Sequence, residues 1–193
     1  MRHPLEQIVA PDARPRAVAL LGALALLVAL SMAYICRDLT IPGKVPQGII
    51  SFELAGDPLI AGTILGSWDP ARISAARLSL ALDYLFLALY SNAMAIACLW
   101  MARFWPAWPW LTMRELGVLL AWGQWVAGLF DGLENYCLLG LLDPTGAPPA
   151  IDLATNARTL AHLKFILIEA GLIYMVVTAL HKIPVRGRRR ARA

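Results

Sequence analysis

Two carboxylates and an amide lie within five consecutive residues, as Asp131, Glu134 and Asn135. They fall inside an apolar segment, residues 116–142, that is long enough to cross a bilayer. A carboxylate at the centre of a membrane-spanning helix costs about 2.5–3.5 kcal/mol, and the pair about twice that. Groups this costly are usually paired or functional, so this stretch is the first candidate for a site.

Two other apolar segments carry charged side chains. Asp83 lies in one of them, and Lys164 and Glu169 lie in another. With a rise of about 1.5 Å per residue, all of these groups fall at similar depth in a bundle of antiparallel helices. Four carboxylates against one ammonium leave a formal charge of −3. In a low dielectric, such an excess requires that some carboxylates hold a proton or that a cation joins them.

We therefore predict an outward-facing site for a proton, a cation or a small polar ligand. Its members converge by depth and by helix face, and they are Asp83, Tyr90, Gln124, Asp131, Glu134, Asn135, Lys164 and Glu169. A hard metal ion is a further hypothesis, because oxygen donors and one nitrogen suit it; its candidate ligands are His162, Glu169, Asp131 and Glu134. The alternative interpretation is a structural network, since interhelical hydrogen bonds of about 0.6–2 kcal/mol also hold membrane helices together.

The elements that must position these groups are apolar helices. Of the 193 residues, 59% are hydrophobic and only 16% are charged, against about 25% charged residues in soluble domains. We predict an all-α integral membrane protein, a single-domain bundle of four transmembrane helices. The predicted spans are residues 17–36, 78–101, 116–142 and 160–180. The first span could instead be a signal peptide, but its apolar run is longer than usual, which favours an uncleaved anchor.

Residues 37–77 form a long and unusually apolar first outer loop. Asp57-Pro58 is typical of an N-cap followed by the first helical residue, and predicts a short helix to about Ser67. This helix is too short to span a bilayer, so it lies in the interface or packs on the mouth of the bundle. Glu53, in the same loop, either lines that mouth or is solvated.

Positive charge sets the orientation. The amino end, the Trp-rich loop after the second span and the tail hold 11 of the 17 Lys and Arg residues, which predicts that both termini are cytoplasmic. The basic tail, residues 182–193, is predicted to bind anionic lipid at the bilayer surface. The sequence has no basic stripe with interleaved aromatics, which is the pattern typical of nucleic-acid binding, so no nucleic-acid partner is predicted. The Ala-, Arg- and Leu-rich composition favours a bacterial inner membrane.

The cofactor stays unknown, because no haem, flavin or nucleotide-binding motif is present in the sequence. Three functional hypotheses follow. The first is a transporter-like or receptor-like binding module, and the second is a non-catalytic accessory subunit of a larger membrane complex. The third, which the sequence favours least, is an intramembrane enzyme that uses the carboxylates as acid and base on a lipid-like substrate.

Overall fold

The computed structural model describes residue 10 and residues 12–105, 112–143 and 152–182, and these residues are almost entirely helical. The helices are α1 (Arg14–Ile35), α2 (Ile49–Glu53), α3 (Pro58–Ser67), α4 (Pro70–Ala102), α5 (Met113–Leu141) and α6 (Leu153–Lys182). A 3₁₀ turn, Cys36–Leu39, continues α1. Together with this turn, α1 is long and apolar enough to cross a membrane, and so are α4, α5 and α6. These helices contain the four predicted spans, except that α5 ends one residue before the predicted end of the third span at residue 142.

Side-chain caps begin four of the helices. Asp57-Pro58 is one of these start signals in the sequence, and Asp69-Pro70, Thr112-x-x-Glu115 with its capping-box spacing and Asp152 are the others. Asp57 accepts hydrogen bonds from two backbone amides at the start of α3, and Asp69 accepts one at the start of α4. Thr112 and Glu115 form the predicted capping box of α5. Asp152 accepts the amide hydrogen bond that opens α6. The predicted start signals are confirmed because each depends only on residues within the first turn.

Helix α5 lies between α4 and α6 and makes extensive contacts with both, whereas α1 packs mainly on α4. Small residues bring the helices close together. A Cβ atom on Gly128 would lie 3.0 Å from Cβ of Ser91 on α4, and one on Gly117 would collide with the Tyr174 ring of α6. Glycines at such contacts let helix backbones approach closely, and the polar residues of α5 can therefore reach both neighbours.

Residues 36–68 form a cap over one end of the bundle, which we call the cap segment. It contains the 3₁₀ turn, α2 and α3, and its buried Phe52 and Trp68 pack in one apolar cluster with Leu80 of α4 and Leu138 of α5. The Trp68 indole Nε1 donates a hydrogen bond to the Leu39 carbonyl oxygen at 3.1 Å. The short helix α3 contributes its buried Ala61 and Ile64 to the same cluster, so it packs on the mouth of the bundle, and its Leu59 and Ile60 are exposed.

The opposite end of the bundle is joined by aromatic contacts. The Trp105 ring stacks on His181 at 4.2 Å, and its Nε1 donates a hydrogen bond to Thr178 Oγ1 at 2.9 Å. These contacts tie the end of α4 to the end of α6. The Trp-rich segment 106–111, the segment 144–151 and the part of the basic tail beyond residue 182, which is predicted to bind anionic lipid, lie outside the described residues.

Candidate functional site

The candidate site is centred on Lys164 of α6, which faces two carboxylates of α5. Its Nζ donates a hydrogen bond to Asp131 Oδ1 at 2.6 Å and lies 2.7 Å from Glu134 Oε2. Lys164 is 7% exposed, Asp131 3% and Glu134 0%. The contact with Glu134 is an ion pair without hydrogen-bond geometry, and neither Glu134 oxygen has a hydrogen-bond partner among the described residues. One buried ammonium therefore offsets two buried carboxylates.

The helical period explains this arrangement. Asp131 and Glu134 are three residues apart, so both project from one side of α5. On α6, the side chains that precede Lys164 on the same face are the small, buried Ala157 and Ala161. Because these alanines fill little space, α6 lies close to α5 and the lysine side chain fits between the helices.

A second polar pair joins α4 to α5 beside this lysine. Asn135 Nδ2 donates a hydrogen bond to Asp83 Oδ2 at 2.6 Å, and Asn135 is buried. Asp83 also lies near enough to Asp131 for the two carboxylates to interact electrostatically. Since an amide donates a hydrogen bond but carries no charge, Asn135 orients the Asp83 carboxylate without neutralising it.

Tyr90 lies beside the polar side chains of α4 and α5. It follows Asp83 by two helical turns, so the two residues share one face of α4. Its ring packs against Phe86 at 5.1 Å, and its buried hydroxyl has no hydrogen-bond partner among the described residues. The hydroxyl lies within electrostatic range of Asp131. A buried hydroxyl without a partner is available to a ligand or a water molecule.

Glu53 is a further member of the group; from its sequence context, it could either line the mouth of the bundle or be solvated. It ends α2 in the cap segment, and it interacts electrostatically with Lys164, Asp83 and Asp131. Burial raises the pKa of the Glu53 carboxyl to about 7; Lys164 opposes this rise, and the two aspartates add to it. The only sequence signal was a carboxylate within an apolar stretch of the loop, residues 49–55.

Glu169 was predicted to join the site, but the structure does not bring it there. It is exposed, and its carboxylate makes no polar contact with the described residues. Glu169 follows Lys164 by five residues, which turns it about 140° around the helix axis. The two side chains therefore lie on different sides of α6, although they are at similar depth.

The four candidate metal ligands are not assembled either. His162 is exposed, and its ring Nδ1 lies 2.6 Å from the Arg158 carbonyl oxygen, whereas Asp131 and Glu134 are buried between helices. Within the described parts of the chain, no group of three or more His, Cys, Asp and Glu residues is arranged to hold a metal ion.

Gln124 is buried on the predicted face of α5, but it lies about 10 Å from Asp131 along the helix. Its Nε2 donates a hydrogen bond to the Leu167 carbonyl oxygen at 2.8 Å, and a Cβ on Gly171 would collide with it. Gln124 therefore joins α5 to α6 beside the site and is not part of its charged centre.

We call Glu53, Asp83, Asp131, Glu134, Asn135 and Lys164 the acidic cluster. Four carboxylates and one ammonium give it a formal charge of −3. Asp131, Glu134 and Asn135 are buried, so a ligand from solution reaches them only when neighbouring side chains or the cap segment move. An open depression of about 380 Å³ lies at the junction of the cap segment with α6, and its lining includes Gly56, Arg158 and His162.

No family model matches this chain, and comparison with curated proteins and with solved structures also finds no match. Function is therefore inferred from the chemistry of the acidic cluster.

Proposed function

We propose that this chain is a small polytopic membrane protein whose acidic cluster binds a proton, a cation or a small polar ligand, in the manner of a transporter or a receptor. The observation that carries the proposal is the position of Lys164 between Asp131 and Glu134, at 2.6 and 2.7 Å. A single ammonium is shared by two carboxylates, and two more carboxylates lie nearby. A proton or a cation supplies the missing positive charge.

Asp83 is the group best placed to receive that charge. Its hydrogen-bond partner is the neutral amide of Asn135, and it is only partly buried, so a ligand can approach it more easily than Glu134. Glu53 brings a fourth carboxylate from the cap segment, a part of the chain that lies outside the long helices. Movement of this segment would change both the access to the cluster and its charge.

The proposal places the protein in a bacterial inner membrane with both termini in the cytoplasm. The distribution of Lys and Arg supports this orientation. The cap segment then faces outward, and the acidic cluster lies in the outer half of the bilayer. Anionic lipid is the proposed partner of the basic tail.

A structural network is the second candidate, and it also has an observation in its favour. Lys164 joins α5 to α6 and Asn135 joins α5 to α4, so the same side chains link three helices. In that case the protein is a non-catalytic subunit whose buried charges serve only to fix helix packing.

Thermal melting of the purified protein in mild detergent separates the two candidates. It is measured across pH and with a panel of monovalent and divalent cations. We expect at least one condition to raise the melting temperature of the wild type and to have little effect on Asp83→Asn. Glu169→Gln is the matched control. It also removes a carboxylate from a long apolar helix, but this carboxylate does not belong to the acidic cluster. If wild type, Asp83→Asn and the control melt alike throughout, the structural network takes the place of the binding site.

A further inference from the structure

One side of α6 faces away from the other helices, and we call it the outer face of α6. It is an apolar stripe interrupted by one carboxylate. Its exposed residues recur at intervals of three and four, which aligns them along one side of the helix. They are His162, Ile166, Glu169, Ile173, Val176 and Leu180. Ile166 and Ile173, which lie on either side of the carboxylate, are 62% and 63% exposed.

Glu169 is near the middle of this helix. It lies about 24 Å from Leu153 and about 20 Å from Lys182 along the axis. If α6 spans a bilayer, the carboxylate is near the midplane of the hydrocarbon. Long Lys and Arg side chains near helix ends can extend to the headgroups. The short glutamate side chain cannot reach the headgroups from the centre of the helix.

Glu169 also differs from the other carboxylates in the long apolar helices near it. Asp131 and Glu134 pair with Lys164, and Asp83 accepts a hydrogen bond from Asn135. Charged groups in membrane helices normally face the interior of a bundle or pair with one another. The exposed carboxylate therefore indicates that another helix covers this face.

We propose that the outer face of α6 docks a transmembrane helix of another protein, and that this helix brings a Lys or Arg side chain to Glu169. Charge complementarity selects this partner, because a basic group compensates the carboxylate in a medium that excludes water. Ile166 and Ile173 would pack against the apolar residues of the same helix on either side of the charge pair. The proposal requires that α6 spans the membrane, but it does not require that the acidic cluster binds a ligand.

A second copy of this chain fits the surface less well. Two copies related by an axis along the membrane normal would place Glu169 against Glu169, which brings like charges together. Lys164 is at a similar depth, but it is buried and already shared by Asp131 and Glu134. A partner that supplies its own cation resolves this difficulty.

Photo-crosslinking in native membranes tests the proposal on the full chain. A photoreactive amino acid replaces Ile173, one turn from Glu169, and the control position is Leu27 of α1, which is equally exposed at 61%. We expect Ile173, but not Leu27, to crosslink to one membrane protein, within an apolar segment that contains a Lys or Arg. Glu169→Gln should reduce this crosslink by about tenfold or more, because truncation of one partner of a buried charge pair weakens association strongly. Glu169→Asp should retain most of it.

A charge exchange completes the test. Glu169→Lys should abolish the crosslink, and replacement of the partner's basic residue by Glu should restore it. A crosslink to a second copy of this chain, to a segment without a basic residue or to lipid alone overturns the proposal. An undiminished crosslink in Glu169→Gln overturns it as well. Melting of the purified chain tests the acidic cluster independently, so either proposal can fail without the other.

Discussion

Lys164 and Asp131 are 33 residues apart in the sequence, and a hydrogen bond of 2.6 Å joins Lys164 Nζ to Asp131 Oδ1. The bond links α6 to α5 at a buried position. Glu134 lies on the other side of the same ammonium at 2.7 Å. The three side chains therefore act as one charged unit, and the consequences of changing any of them depend on the other two.

Removal of the ammonium is expected to destabilise the bundle. In Lys164→Met, the apolar stem is kept but Asp131 and Glu134 lose the one ion-pair partner that they have among the described residues. Breaking a buried pair in this way costs about 3–5 kcal/mol, so the free energy of unfolding should fall by that amount. Lys44→Met, in the exposed part of the cap segment, is the control and should melt like the wild type. An unchanged melting temperature for Lys164→Met would contradict the assigned role of the lysine.

Single amide substitutions are expected to be tolerated. Asp131→Asn and Glu134→Gln each leave one carboxylate on Lys164, and each amide keeps the shape of the side chain it replaces. Each variant should therefore stay within about 1 kcal/mol of the wild type, but should lose the rise in melting temperature that a cation produces. The double variant leaves the buried ammonium without an ion-pair partner among the described residues, because Glu53 and Asp83 are near it but do not pair with it, and it should lose about 3–5 kcal/mol. Strictly additive effects of the two substitutions would show that the carboxylates do not share the lysine.

Glu53 should make stability depend on pH. Its pKa in the folded state is raised from 4.5 to about 7, so the folded protein keeps a proton that the unfolded chain releases. The stabilisation from this proton is fully present below about pH 4.5, and it is lost as pH rises toward 7. Glu53→Gln should remove this part of the decline between pH 4.5 and 7. Melting profiles of the variant and the wild type with the same slope over this interval would show that Glu53 is not held in the cluster.

Some features of the fold and of the acidic cluster could be predicted from the sequence, and others could not. The starts of α3, α4, α5 and α6 were predictable because a cap residue and its amide partner lie within one turn of each other. The buried face of α5 was also predictable, since Asp131 and Asn135 are spaced by one helical turn. Both features are local in the sequence.

Glu169 and Glu53 show why the rest of the site was not predictable. Depth along a helix can be counted from the sequence, but the direction of a side chain around the axis depends on which neighbour the helix packs against. Glu169 lies at about the same depth as the acidic cluster, but its side chain is on a different side of α6 from Lys164. Glu53 reaches the cluster only because the cap segment folds back over the bundle through Phe52 and Trp68, a long-range contact with no local signal.

The orientation of the chain can be tested separately. With both termini in the cytoplasm, a reporter fused after Ala193 should be active only if it functions in the cytoplasm. A cysteine placed at exposed Lys44, in the cap segment, should react with a thiol reagent that does not cross membranes, when the reagent is added from outside. Labelling at Lys44 only after the membrane is opened would reverse the proposed orientation.

The central claim is that the acidic cluster holds an exchangeable proton or cation, and infrared difference spectroscopy tests it most directly. The measurement uses purified Glu169→Gln, so that the exposed carboxylate does not contribute. At constant pH, addition of the cation that raises the melting temperature should convert protonated carboxyl groups into carboxylates. Asp83→Asn in the same background should weaken or remove this signal. If Asp83→Asn and its parent gave the same carboxyl difference spectrum at every pH and with every cation, the claim would be contradicted, and the cluster would then be a fixed part of the helix packing.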